Sequence, residues 1–201
     1  SSLPRETLSR KDFTYQIYTD MVFGISGYTC FTYRKSFIAE FGGGCVEYDV
    51  SCAPTPSYEW AKEVNAEIAK FDHVYLSFDW DGAMSVKGQY NIEDDEEYDN
   101  VSFGFHNELK ALNCANSVTA TQDTLVGQFK DDEGRDALVI SNFTLPTDDL
   151  DDKVTINFKD CNRAIVYKNG NQKVYEVKNN KLTLDIPSGE GVFLIPLKMK
   201  L

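Results

Sequence analysis

The most constraining feature of this chain is a series of short apolar segments, from about residue 118 to the C-terminus, that alternate with polar residues or are bounded by turn clusters. Val154, Ile156 and Phe158 alternate with Thr155 and Asn157, and Leu182, Leu184 and Ile186 alternate with Thr183 and Asp185. A period of two puts each apolar set on one face of a strand. Residues 125–129 and 136–143 flank the turn cluster Asp131-Asp132-Glu133-Gly134. Residues 164–168 and 173–177 flank Asn169-Gly170, a hairpin dipeptide whose loop is lengthened by the next two residues. Residues 191–197 form a continuous apolar strand after Pro187-Ser188-Gly189-Glu190. Short strands with turn signals between them predict an antiparallel β-sandwich over residues 118–201.

The first 80 residues read differently. Leu8, Phe13, Ile17, Tyr18 and Met21 recur at helical spacing across residues 10–23, and Gly24 stands where such a helix ends. The β-branched and aromatic run 28–33 predicts a buried strand. After a loop containing Gly42-Gly43-Gly44, Thr55-Pro56 offers an N-cap and first-turn proline. Trp60, Ala61, Val64, Ile68 and Phe71 mark the stripe of a second helix over 57–70. One strand with two helices is not self-sufficient. Its partners come either from residues 75–115 or from other polypeptide. The expected class is therefore α+β: an α/β segment over 1–80, a linking region over 81–117, and the sandwich. Within that link, residues 74–78 can be a strand, Asp79-Trp80-Asp81-Gly82 reads as a turn, and 91–100 is an acidic loop.

Composition excludes some partners. The net charge of −12 opposes phosphate binding, so nucleic acid and anionic membrane surfaces are not expected. No apolar run is long enough to span a bilayer. Aromatic residues make up 13% of the chain, a surplus that suits either a core or a surface that stacks on sugar rings. The five cysteines (30, 45, 52, 114 and 161) include no CxxC, and only two histidines accompany them, so neither a structural zinc nor any cofactor is expected. Cys45 and Cys52 are near enough in sequence to bridge. Reduced cysteines in the cytoplasm are the plainer reading, and a removed signal leaves secretion open.

No catalytic set emerges from this chain alone. Asp79, Asp81 and the run Glu93-Asp94-Asp95-Glu96-Glu97 offer oxygen ligands but lack the spacing of an EF-hand loop, and read as solvated acidic surface. His73 and His106 have no nucleophile in a recognisable turn beside them. The triple glycine lacks the Lys-Ser/Thr of a phosphate-binding loop. Glu40, Glu47 and Asp49 are carboxylates in one loop, and a pair of them would suit glycosidic hydrolysis only at a fixed separation. Phe31 and Tyr33 share one face of the 28–33 segment, with Arg34 just beyond it. At the C-terminal end of a barrel strand such residues line the active site.

Several motifs, taken in order, resemble the β-galactosidase-like (β/α)₈-barrel glycoside hydrolases that retain configuration. Gln16-Ile17-Tyr18, Phe23-Gly24, Gly27 and Phe31-Thr32-Tyr33 resemble the approach to the eighth barrel strand. Pro54-Thr55-Pro56-Ser57-Tyr58 and Glu63-Val64-Asn65-Ala66-Glu67-Ile68 resemble the eighth helix. Residues 125–129, 137–142 and 187–194 resemble the sandwich that follows such barrels. In that family the acid/base glutamate follows the fourth strand and the nucleophile the seventh, so the resemblance implies that both precede Ser1. The implied role is the C-terminal portion of a glycoside hydrolase, non-catalytic alone, partnered by the barrel portion of the same polypeptide and by carbohydrate. Tyr33, Arg34 and Phe31 would supply its substrate contacts. Relatives often carry Trp where this chain has Arg34. The alternatives are a free-standing carbohydrate-binding sandwich with an α/β appendage, and a structural or interaction domain.

Overall fold

Pairing of the alternating segments builds two antiparallel sheets. The computed structural model describes residues 9–29, 33–35, 43–89 and 107–198. Among these, β1 (Phe78–Val86), β3 (Thr124–Asp131), β4 (Asp136–Asn142), β9 (Gly191–Leu197), β6 (Arg163–Lys168) and β7 (Asn171–Glu176) form one sheet, in that spatial order. The second sheet is β2 (Ala115–Thr119), β5 (Asp152–Phe158) and β8 (Lys181–Ile186).

The two sheets differ in pattern because they differ in what covers them. In the small sheet Val154, Ile156, Phe158, Leu182, Leu184 and Ile186 face inward, while Thr155 and Thr183 hydrogen-bond on the outer face at 2.9 Å. The centre of the large sheet is buried on both faces, so residues 137–140 of β4 and the whole of β9 are apolar without alternation. Leu138, Ile140, Val192 and Leu194 point to the small sheet. Ala137, Val139, Phe193 and Ile195 point the other way, into a helical layer.

That layer is α1 (Arg10–Val22), α2 (Pro56–Ile68) and the single turn α3 (Asp72–Tyr75). The Ser9 hydroxyl caps α1, accepting from the Asp12 amide at 3.3 Å. The helix ends as Gly24 takes φ +76° and its amide donates to the Met21 carbonyl at 3.0 Å. Between its ends α1 lies against sheet backbone: a Cβ at Gly127 would sit 2.2 Å from the Val22 carbonyl oxygen, and one at Gly191 2.6 Å from the Tyr18 ring. Phe193 lies at the centre of the layer, with the rings of Phe71, Tyr75, Phe78 and Tyr167 at centroid distances of 5.7–6.0 Å. The Tyr75 hydroxyl donates to the carbonyls of Met21 (3.2 Å) and Ile25 (2.9 Å), tying α3 to the end of α1. Much of the aromatic surplus therefore serves packing.

The seven strands expected of the sandwich and both expected helices are present. Three local readings differ. Residues 74–78 are not one strand: Val74 and Tyr75 lie in α3, where the Tyr75 contacts outweigh a β-prone composition. Asp79-Trp80-Asp81-Gly82 is not a turn but lies inside β1, where a register shift between Trp80 and Gly82 absorbs the extra residue. β1 thus crosses the boundary drawn at residue 80, and the helices share one hydrophobic cluster with the large sheet. β2 was not anticipated before Val118, because the strand is mostly polar and buries only Ala115. The 91–100 loop lies outside the described residues. Cys45, Cys52, Cys114 and Cys161 are free thiols, and burial pushes the Cys114 thiol up to about 12. Among the described residues no helix is long and apolar enough to cross a membrane.

Two substitutions test this layering. Phe193→Ala should cost about 3–5 kcal/mol in urea unfolding. Gly127→Ala, which drives a methyl into the end of α1, should cost about 1–3 kcal/mol. In hydrogen exchange, amides of α1 should lose protection in Gly127→Ala before those of β5 and β8. Equal loss in both layers would contradict the assignment.

Candidate functional site

The residues singled out as substrate contacts lie in a loop module before α2. Of the expected strand 28–33, Phe31 and its neighbours at 30 and 32 lie outside the described residues. Tyr28, Thr29 and Tyr33 carry no strand pairing among those described, and Arg34 makes a single parallel bridge to Val46. Val46 in turn bridges Pro54 in antiparallel fashion, so three short backbone stretches lie side by side. The amides of Cys45 (2.7 Å) and Val46 (3.0 Å) donate to the Tyr33 carbonyl, and the Lys35 amide donates to Val46 at 2.7 Å. The Glu47 amide reaches the Ala53 carbonyl at 2.8 Å.

The module is anchored at the start of α2. Thr55 was expected to cap that helix, but its side chain makes no cap hydrogen bond. Its hydroxyl instead donates to the Gly44 carbonyl, and its amide donates to Cys45 at 3.0 Å. Cys45 and Val46 are buried beneath. Gly44 takes φ +141°, and a Cβ there would lie 2.5 Å from the Lys35 backbone. This glycine serves close packing of chain on chain.

What the module presents is aromatic and polar. Tyr33 is 63% exposed, Tyr48 50% exposed, and Val50 fully exposed. The Arg34 guanidinium lies over the Tyr48 ring, 4.9 Å from its centroid. Arg34 Nη2 also donates to the Tyr48 carbonyl, and to that of Asp49 at 3.2 Å. Arg34 is exposed, and its Nη2 is engaged with the 48–49 turn. In that turn Asp49 Oδ1 accepts from the Ser51 amide at 2.9 Å and from the Ser51 hydroxyl. The Ser51 contacts hold the Asp49 carboxyl below the usual carboxylate range. Glu47 pairs with Lys35 at 3.6 Å. Sequence reading passed over Tyr48; the available signal was a lone aromatic between two acids in a loop, where no strand or helix face claims it.

The other candidates are dispersed. Asp81 accepts from Gln128 Nε2 (2.7 Å) and Asn113 Nδ2 (3.1 Å), which orients buried Gln128 across β1 and β3. His73 is exposed in α3, 3.6 Å from Asp72. Glu40 and His106 lie outside the described residues. Among the described residues no group of three or more His, Cys, Asp or Glu could hold a metal ion.

No protein-family profile, characterised protein or solved structure matches this chain.

Because its partners stabilise the ionised form, Asp49 should titrate below an ordinary aspartate. Its contribution to the turn should be complete above the unfolded value and lost as pH falls through the lowered folded one. Carboxyl-carbon NMR should give that low midpoint, and Ser51→Ala should return it toward the ordinary value. An unchanged midpoint in the variant would count against the assigned contacts.

Proposed function

We propose that this chain is the C-terminal portion of a retaining glycoside hydrolase of the β-galactosidase-like barrel class. In this reading the sandwich is its accessory domain, and residues around Tyr33 and Arg34 are what remains of its substrate-facing loops. The two carboxylates of a retaining site act about 5 Å apart, one as acid/base and one as nucleophile. They would come from polypeptide preceding the segment that resembles the end of the barrel. This portion alone would be non-catalytic.

The observation that carries the reading is the seam between the two parts. The helices with the barrel-like motifs are not an appendage on a tether. Val22, Val64, Phe71 and Tyr75 share one cluster with Phe129, Val139, Tyr167 and Phe193 of the large sheet. Arg10 adds a polar clasp, meeting Glu67 of α2 at 2.5 Å, Glu63 at 3.2 Å, and Glu190 of the turn before β9 at 3.8 Å. A free-standing sandwich with a dispensable appendage would need a polar outer face on its large sheet. Here that face is apolar, as expected where helix and sandwich belong to one folded unit.

The test is turnover of aryl β-glycosides by the purified chain. Release of the aryl alcohol should not exceed the buffer rate across a panel of β-galactoside, β-glucoside and β-xyloside. Turnover that disappears in Glu47→Gln or Glu40→Gln would locate the chemistry in this chain and overturn the proposal.

A further inference from the structure

The edges of the two sheets are treated differently. Ala83 of β1 exchanges backbone hydrogen bonds with Asn107 (3.3 Å) and Leu109 (2.8 Å). The Asp185 carbonyl of β8 accepts from Lys168 Nζ at 2.6 Å, and β2 is broken by a register shift between Ala115 and Ser117. Each feature blocks or bends an edge against a further strand. No such feature covers β7 among the described residues. Its six residues pair with β6 without a register shift, across the two-residue turn Asn169-Gly170. Lys168 and Asn171 flank that turn as a hydrogen-bonded pair, so Asn171, Lys173 and Tyr175 turn their backbone groups toward β6. The Val177 amide continues the series, donating to the Asn162 carbonyl at 2.9 Å. Gln172, Val174 and Glu176 turn their backbone groups outward, where they meet no partner among the described residues. Val174 is 53% exposed.

We propose that the β7 edge takes an extended acidic segment of a partner protein as an added strand. The charge of this corner selects the occupant. Residues 163–181 carry Arg163, Lys168, Lys173, Lys178 and Lys181 against the single acid Glu176, in a chain whose net charge is −12. Glu176 lies opposite Arg163, and Asp185 of the neighbouring β8 pairs with Lys153 at 3.2 Å, so the four lysines are left in excess. Lys173 stands on the edge itself, exposed, its ammonium 4.7 Å from the centre of the Tyr175 ring. A second copy of β7 would bring the same cations against these and meet repulsion, whereas carboxylates spaced along a strand would be drawn in. In strand addition the backbone hydrogen bonds supply affinity and the side chains specificity. An apolar residue of the incoming strand would rest beside Val174, whose cross-strand neighbour is Ile165. The inference does not depend on the glycosidase reading.

The test is fluorescence polarisation with a labelled hexapeptide of alternating Glu and Val, alongside NMR of the whole chain. The peptide should bind, and amide exchange at Gln172, Val174 and Glu176 should slow. A peptide with Lys in place of Glu should not bind, and neither should the acidic one methylated on every backbone nitrogen. Val174→Pro removes an outward N–H that β6 does not use, so thermal melting should be kept while binding is lost. Lys173→Glu should weaken binding about tenfold, and added salt should weaken it in the unsubstituted chain. Absence of binding overturns the proposal, as does binding that survives Val174→Pro or backbone methylation, or equal binding of the basic peptide. Self-association of the chain, seen by sedimentation and abolished by Val174→Pro, would assign the edge to a second copy instead. If Val174→Pro does not fold, the methylated peptide decides alone.

Discussion

The close approach of α1 to the large sheet is the contact on which the rest of the structure depends. Helix and sheet backbones meet where Gly127 passes beneath Val22 and Gly191 beneath Tyr18. Side chains at either position would lift the helix away. Seated there, α1 turns an antiparallel sandwich into a three-layer unit and buries the second face of β3, β4 and β9. That burial explains why the middles of those strands are buried without alternation, while β5 and β8, with one face in water, alternate cleanly. It also explains where the aromatic residues went. Phe71 and Tyr75 come from the chain before the sandwich and Phe78 from its first strand, and they close around Phe193 near the C-terminus.

The polar contacts follow the same seam. Arg10 gathers carboxylates from α2 and from the turn before β9, so its charge is shared between the helical layer and the sandwich. Partly exposed pairs of this kind are each worth about 0–1 kcal/mol. Their use here lies in setting the register between layers that the apolar cluster has already brought together. The loop module joins this seam at one remove. It is fastened to the start of α2 through Thr55, and α2 is fastened to the sheet.

The fold was largely legible where one physical rule governed a segment. Period-two alternation gave away β5 and β8, Asn169-Gly170 the hairpin of β6 and β7, and Gly24 the end of α1. Legibility failed where tertiary contacts overrode local chemistry. Asp79-Trp80-Asp81-Gly82 has turn composition, but Trp80 donates to the Val22 carbonyl at 3.0 Å and Asp81 meets Gln128, and these contacts hold the segment in β1 with a bulge. β2 carried no signal, because an edge strand that buries one small residue looks like a loop. In the candidate site, Tyr33 and Arg34 could be picked out by their place after an apolar run, whereas Tyr48 could not. What distinguishes Tyr48 is a guanidinium from fourteen positions upstream.

The sequence by itself determined seven strands of the sandwich, the turns between them, and that two helices with apolar stripes precede it. Those properties depend on neighbours a few residues apart, and side-chain periodicity encodes them directly. Only the tertiary structure decided that the helices cover the large sheet, that Phe193 is the centre of that contact, and that Arg34 braces a tyrosine. Each of these depends on groups far apart in the chain meeting at contact distance. Glycine spacing and backbone bulges set such meetings, and neither leaves a periodic trace.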